Sequence, residues 1–148
     1  LSLVITDDVL AAFVSEWPTT GSFAGVKLSA HGKQPGDTAA SWAVITAQEI
    51  REPQTESDGL AEQTWRVEIA VWTSANPPPT ATFSAALVLL FDGTPAAPNA
   101  GLTLAGDGQS VTFVKPGISS LKKESERRAG ADVLCAGRAW IVTTNATQ

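Results

Sequence analysis

The apolar residues of this chain are spaced in two different ways, and the change of period marks its elements. In "TDDVLAAFVSEWP" the residues Val9, Leu10, Phe13, Val14 and Trp17 recur at three- and four-residue intervals, the period of an amphipathic helix. Thr6 or Asp7 is placed to cap its start and Pro18 to stop its end. "GVKLSA" alternates Val26, Leu28 and Ala30 as a short strand, a polar loop follows from His31 to Thr38, and "SWAVITAQEI" is the next strand. A second helix is expected in "NPPPTATFSAALVLLFDG", where Phe83, Ala86, Leu87, Leu90 and Phe91 fall at helical offsets. Thr80 is its candidate cap and Gly93 its stop.

Between Arg51 and Gln63 the apolar period disappears and both charge signs occur, which suits the exposed connection of a long hairpin. The returning strand opens "TWRVEIAVWTSANPPP". On it Trp65, Val67, Ile69, Val71 and Thr73 share one face, and Arg66, Glu68, Ala70 and Trp72 share the other. The first set is the expected core. After the second helix a Pro, Ala and Gly rich link, Thr94 to Gly101, leads into "LTLAGDGQSVTFV", read as a hairpin or a broken strand around the Gly-Asp-Gly turn. "KPGISSLKKESERRAGA" reads as a polar connection, and "DVLCAGRAWIVTT" as a closing strand whose even positions include Arg138 and Trp140. The order of elements predicts one α+β domain over residues 1–148, an antiparallel (mixed) sheet with two helices packed on one face.

Charge and composition narrow the chemistry. Across 148 residues, an apolar fraction of 43% and a charged fraction of 17% are those of a folded chain. A formal net charge of -5 argues against gripping nucleic acid through many phosphates, though not against letting it slide past. Cys135 is the only cysteine and His31 the only histidine, so an intrachain disulfide is impossible and a zinc site would need unusual ligands. An intracellular or otherwise disulfide-independent life is the expectation. Cys135, among apolar neighbours, reads as a small buried hydrophobe.

No phosphate-binding loop, dinucleotide fingerprint or His-Glu-x-x-His pattern occurs, and no cofactor or metal is expected. His31 lies in a solvated loop. Glu52, Glu56, Asp58 and Glu62 lack the spacing of a calcium loop. "KKESERR" is interrupted by Glu124 and Glu126, which favours a surface or subunit contact over a nucleic-acid patch. No apolar run has the length of a membrane span, and "LSLVITDD" lacks the features of a signal peptide, so neither membrane nor signal-directed secretion is expected.

The tryptophans pose a further question, because Trp72 and Trp140 fall on strand faces that also hold Arg66, Glu68 and Arg138. Two helices on one side of a sheet leave its other side uncovered. Either these indoles sit at strand ends half covered by their own loops, or they belong to a surface that packs on a neighbouring subunit.

The N-terminal helix, "SWAVITAQEI", the charged hairpin ending in "EQTWRVEIAVWTSANPPP", "TFSAALVLLFDG" and the strand after "ESERRAGADVLCAGRAWIV" together resemble the tail terminator proteins of long-tailed bacteriophages. The likeness is one of order and pattern over nearly the whole chain, and the link "GTPAAPNAG" departs from it. It implies a non-enzymatic virion protein, assembled in the bacterial cytoplasm, whose homo-oligomeric ring, a hexamer in that family, caps the tail tube and meets the head-completion or connector proteins. DNA would pass through without sequence-specific binding. The resemblance makes Trp72, Trp140, Arg138, Arg66, Glu68, Arg51, Glu56, Asp58, Lys122 and Arg127 candidate contact residues. The alternatives are another head-tail neck protein (head completion or stopper), a small ligand-binding or enzymatic α+β domain, and an accessory domain binding through Arg51 to Gln63.

Overall fold

The apolar alternation of four segments is satisfied by one curled sheet. Its strands are β1 (Leu28–Ser29), β2 (Ser41–Thr55), β3 (Leu60–Thr73), β6 (Gln109–Val114), β7 (Ile118–Arg128) and β8 (Ala131–Thr147), with β4 (Gly93–Thr94) and β5 (Ala97–Pro98) forming a separate two-stranded ladder. The computed structural model describes residues 3–32, 38–55, 60–94, 97–98, 102, 104, 109–114, 118–128 and 131–147. The main sheet runs in the order β1-β2-β3-β8, and β6 and β7 lie end to end along the far edge of β8. Only β1 with β2 is parallel; every other pairing is antiparallel. The architecture is the expected α+β class, a mixed sheet with both helices on one face.

Helix α1 (Thr6–Ser15) buries Val9, Ala12 and Phe13, and α2 (Thr80–Phe91) buries Phe83, Leu87 and Phe91. The N-cap position is Ile5, one residue before Thr6 and two before Asp7. The Ile5 amide donates to the Asp8 carboxylate at 3.3 Å, so the carboxylate three residues in satisfies an amide the helix leaves free. Val14, expected on the core stripe, is exposed. Two aromatic groups join the helices to each other and to the sheet. Phe13 meets Phe91 with centroids 4.7 Å apart and Phe91 meets Trp140 edge-on at 5.3 Å, while Phe23 bridges Trp17 (4.4 Å) and Phe83 (5.7 Å). These separations are those of favourable ring pairs.

Two segments read from sequence as loops are strands. The expected connection at 51–63 is shorter, because β2 continues to Thr55 and β3 begins at Leu60. The pairing survives the charged sequence by slipping register between Glu49 and Arg51 and again before Gln54, which places irregularities around Pro53, a residue that cannot donate to a ladder. The expected polar connection after Val114 contains β7, which pairs with β8 from Ile118↔Ala139 to Arg128↔Ala131. An edge strand fills its backbone hydrogen bonds from one neighbour and so needs no apolar alternation. The 102–114 stretch holds β6, which pairs with β8; its Gly-Asp-Gly turn lies outside the described residues, as does the loop at 33–37.

The segment ahead of α1 is held by amide side chains. Gln63, buried on β3, accepts from the Val4 amide (2.9 Å), donates to the Val4 carbonyl (3.0 Å) and donates to Glu49 (2.5 Å). It pairs with Val4 as a neighbouring strand would. Gln63→Ala leaves both Val4 groups short of partners, an expected loss of about 1–3 kcal/mol. Urea denaturation reads that loss, and hydrogen exchange should show the Val4 amide losing protection before the β3 ladder does.

Candidate interaction surface

The register between β3 and β8 decides where each candidate residue lies. Val67 pairs with Trp140 and Ile69 with Arg138, so the even positions of β8 join the odd positions of β3 on the helix-covered face. Trp140 is 1% exposed and Arg138 is buried. Both are core residues of the single chain, not surface contact residues. The single chain shelters the indole at 140 completely.

Burying a guanidinium in an aromatic core demands a partner. Asp92, directly after α2, supplies it: Arg138 Nε donates to Oδ1 at 3.0 Å, Arg138 Nη2 donates to Oδ2, and Trp140 Nε1 donates to Oδ1 at 2.7 Å. One carboxylate thereby fixes a fork-shaped cation and an indole two residues apart on the same face, and ties the end of α2 to the centre of β8. A second cross-strand bond, from Trp65 Nε1 to Thr144 Oγ1 at 2.9 Å, secures the other end of the β3–β8 interface.

Trp72 does lie on the opposite face, as its alternation requires. It is half-buried, directly across from buried Trp42 on β2 and from buried Cys135 on β8. These cross-strand neighbours share its face. Further along that face Arg66 is exposed and pairs with Glu68 at 3.2 Å, an ion pair between solvated groups that contributes little to stability. Ile50, near the register slip of β2, is exposed as well. Arg51 lies on β2, and Lys122 and Arg127 on β7; Glu56 and Asp58 lie outside the described residues. The described candidates therefore separate into a core pair, a back-face set and residues on β2 and β7.

The most exposed large apolar side chain among the described residues was not among them. Residues Thr80–Phe91 contain no charged side chain, and on the outward side of α2 Leu89 is 82% exposed, beside exposed Val88, Ala85 and Ala81. A surface helix ordinarily places charged and polar groups there. Asp92, Trp42 and Gln63 also escaped the sequence reading. For α2 the signal was present in the uncharged run "TATFSAALVLLF"; for Asp92 it was a lone carboxylate closing that run.

Two shallow depressions flank the 3-10 turn at Gly21–Phe23. One, of about 360 Å³, is lined by Ser22, Ala40, Ser41, Pro79 and Thr82 among others and holds no ionisable side chain; the other, of about 410 Å³, holds only Lys27. Neither brings together the groups that nucleophilic or acid–base chemistry needs. His31 is exposed, 3.0 Å from backbone nitrogen to the Ser29 hydroxyl, and no metal-ligating cluster occurs among the described residues. No protein-family model matches the chain, and no curated protein matches it in sequence.

Asp92→Ala is expected to cost about 3–5 kcal/mol, since it strands a buried cation. Replacing both partners with apolar residues, as in Asp92→Leu with Arg138→Met, should recover most of that loss in denaturant melts. A double variant as unstable as the single one would show that the pair holds the fold by something other than mutual neutralisation.

Proposed function

We propose that this chain is a structural virion protein that forms a ring at the head-proximal end of a long phage tail, ends tail-tube growth and joins tail to head. The supporting observation is the bare apolar side of α2. An outward leucine that is 82% exposed, on a helix without charge, suits a chain whose working state buries that surface against another protein. The order of elements that resembles tail terminators supplies the particular role.

The mechanism in this reading is geometric. Identical copies meet through unlike surfaces, and such contacts close when the rotation per copy divides a full turn. A closed ring with one face complementary to the last tube layer offers no site for a further tube subunit. The chain's negative charge keeps a DNA-conducting hole from binding its cargo, because phosphates are repelled from an acidic wall.

Purified tube protein, grown with and without this chain, tests the role. Electron microscopy should find rings of this protein and short tubes capped at one end. Unchanged tube lengths, together with a strictly monomeric protein in both conditions, would refute it. Leu89→Glu should leave the thermal midpoint within error and weaken assembly about tenfold or more, the loss expected when one buried leucine becomes an exposed charge.

A further inference from the structure

Exposed apolar side chains mark both ends of α1. Leu3 and Ile5 are exposed at its start, Ile5 by 57%, and Val14 is exposed at its end. Val4, between the first two, is buried and bonded to Gln63, so the chain is anchored there while its neighbours form an apolar shoulder in solvent. Asp7 follows in the first turn of the helix, also exposed. It makes no ion pair among the described residues.

The other end of α1 borders a groove. Val14, Trp17 and Pro18 line one side of the depression of about 410 Å³, and Gly25 and Lys27 line the other. Trp17 is fixed before anything enters: its indole N–H donates to the Val26 carbonyl at 2.8 Å, and its ring packs on Phe23. Gly25 has a φ of +77° and no atom within 4 Å of the place a Cβ would take, which leaves that side open. Lys27, exposed and without an ion pair among the described residues, is the one ionisable group lining the groove; Glu16 is exposed but does not line it.

One copy cannot bring its own shoulder to its own groove. α1 is ten residues long, about 15 Å of helix, and a rigid helix holds its ends apart. A second copy supplies the match, an apolar knob followed by a carboxylate for apolar walls beside a cation. The other exposed large apolar residues fit less well. Val88 and Leu89 lie on the uncharged α2, and Ile50 stands between the opposite charges of Glu49 and Arg51.

We propose that the Leu3–Asp7 shoulder of one copy seats in the Trp17–Lys27 groove of another, with Ile5 against Val14 and Trp17 and with Asp7 towards Lys27. The contact joins unlike ends of α1, so it orders the copies as well as holding them. It rests on the reading of this chain as one that assembles with itself.

Ile5→Ser separates this contact from a structural role. Serine is a preferred residue at the N-cap position that Ile5 occupies, so the variant should keep or raise the thermal midpoint. Sedimentation over a range of concentrations should nevertheless show association weakened about tenfold or more. Asp7→Lys and Lys27→Glu should each weaken it as well, and one chain carrying both should recover most of the loss. That recovery also shows that the substituted chains fold.

An Ile5→Ser chain that associates as the wild type does overturns the contact, and so does a doubly reversed chain as weak as either single one while circular dichroism reports native folding. Rings seen by electron microscopy but indifferent to all three changes would preserve the ring while removing this contact. Association sensitive to the changes but limited to reciprocal pairs or open chains would preserve the contact while removing the ring. A chain monomeric at every concentration, alone and with tube protein, removes both.

Discussion

The pairing of β3 with β8 is the constraint on which the rest of the structure depends. It runs unbroken from Leu60↔Thr147 to Thr73↔Leu134, and a slip of one residue would turn every side chain of β8 to the other face. With Val67 opposite Trp140, the indole completes an aromatic group with Phe13 and Phe91, and Arg138 must enter the core beside it. Asp92 then has to be where it is. The end of α2, the centre of the sheet and the inner side of α1 are thereby fixed by one register.

That register also explains which parts of the fold were readable in the residues. Both helices, the core face of β3 and the α+β class followed from periodicity. The faces of β8 did not, because alternation separates two sets without saying which is inside. The odd set, Val133, Cys135, Gly137, Ala139 and Ile141, is uncharged and looks like the core, yet the even set with Arg138 is the one under the helices. The counter-charge that permits this comes from a residue 46 positions away. No local pattern carries that information. Strand β7 was hidden for a related reason: an edge strand satisfied by one neighbour keeps a polar, charged sequence that resembles a loop.

Trp140 and Arg138 are committed to the single chain, and Trp72 is partly covered by its row with Trp42 and Cys135. Among the described residues, the uncharged side of α2 carries the most exposed large apolar side chain, Leu89.

Hydrogen exchange of the wild-type protein, followed from dilute to concentrated solution, tests the division between inner and outer surfaces most directly. The account predicts concentration-dependent protection in α2, with the amides from Arg138 to Trp140 unchanged. Protection that does not vary with concentration anywhere, or that grows at Arg138 to Trp140 instead, would contradict it.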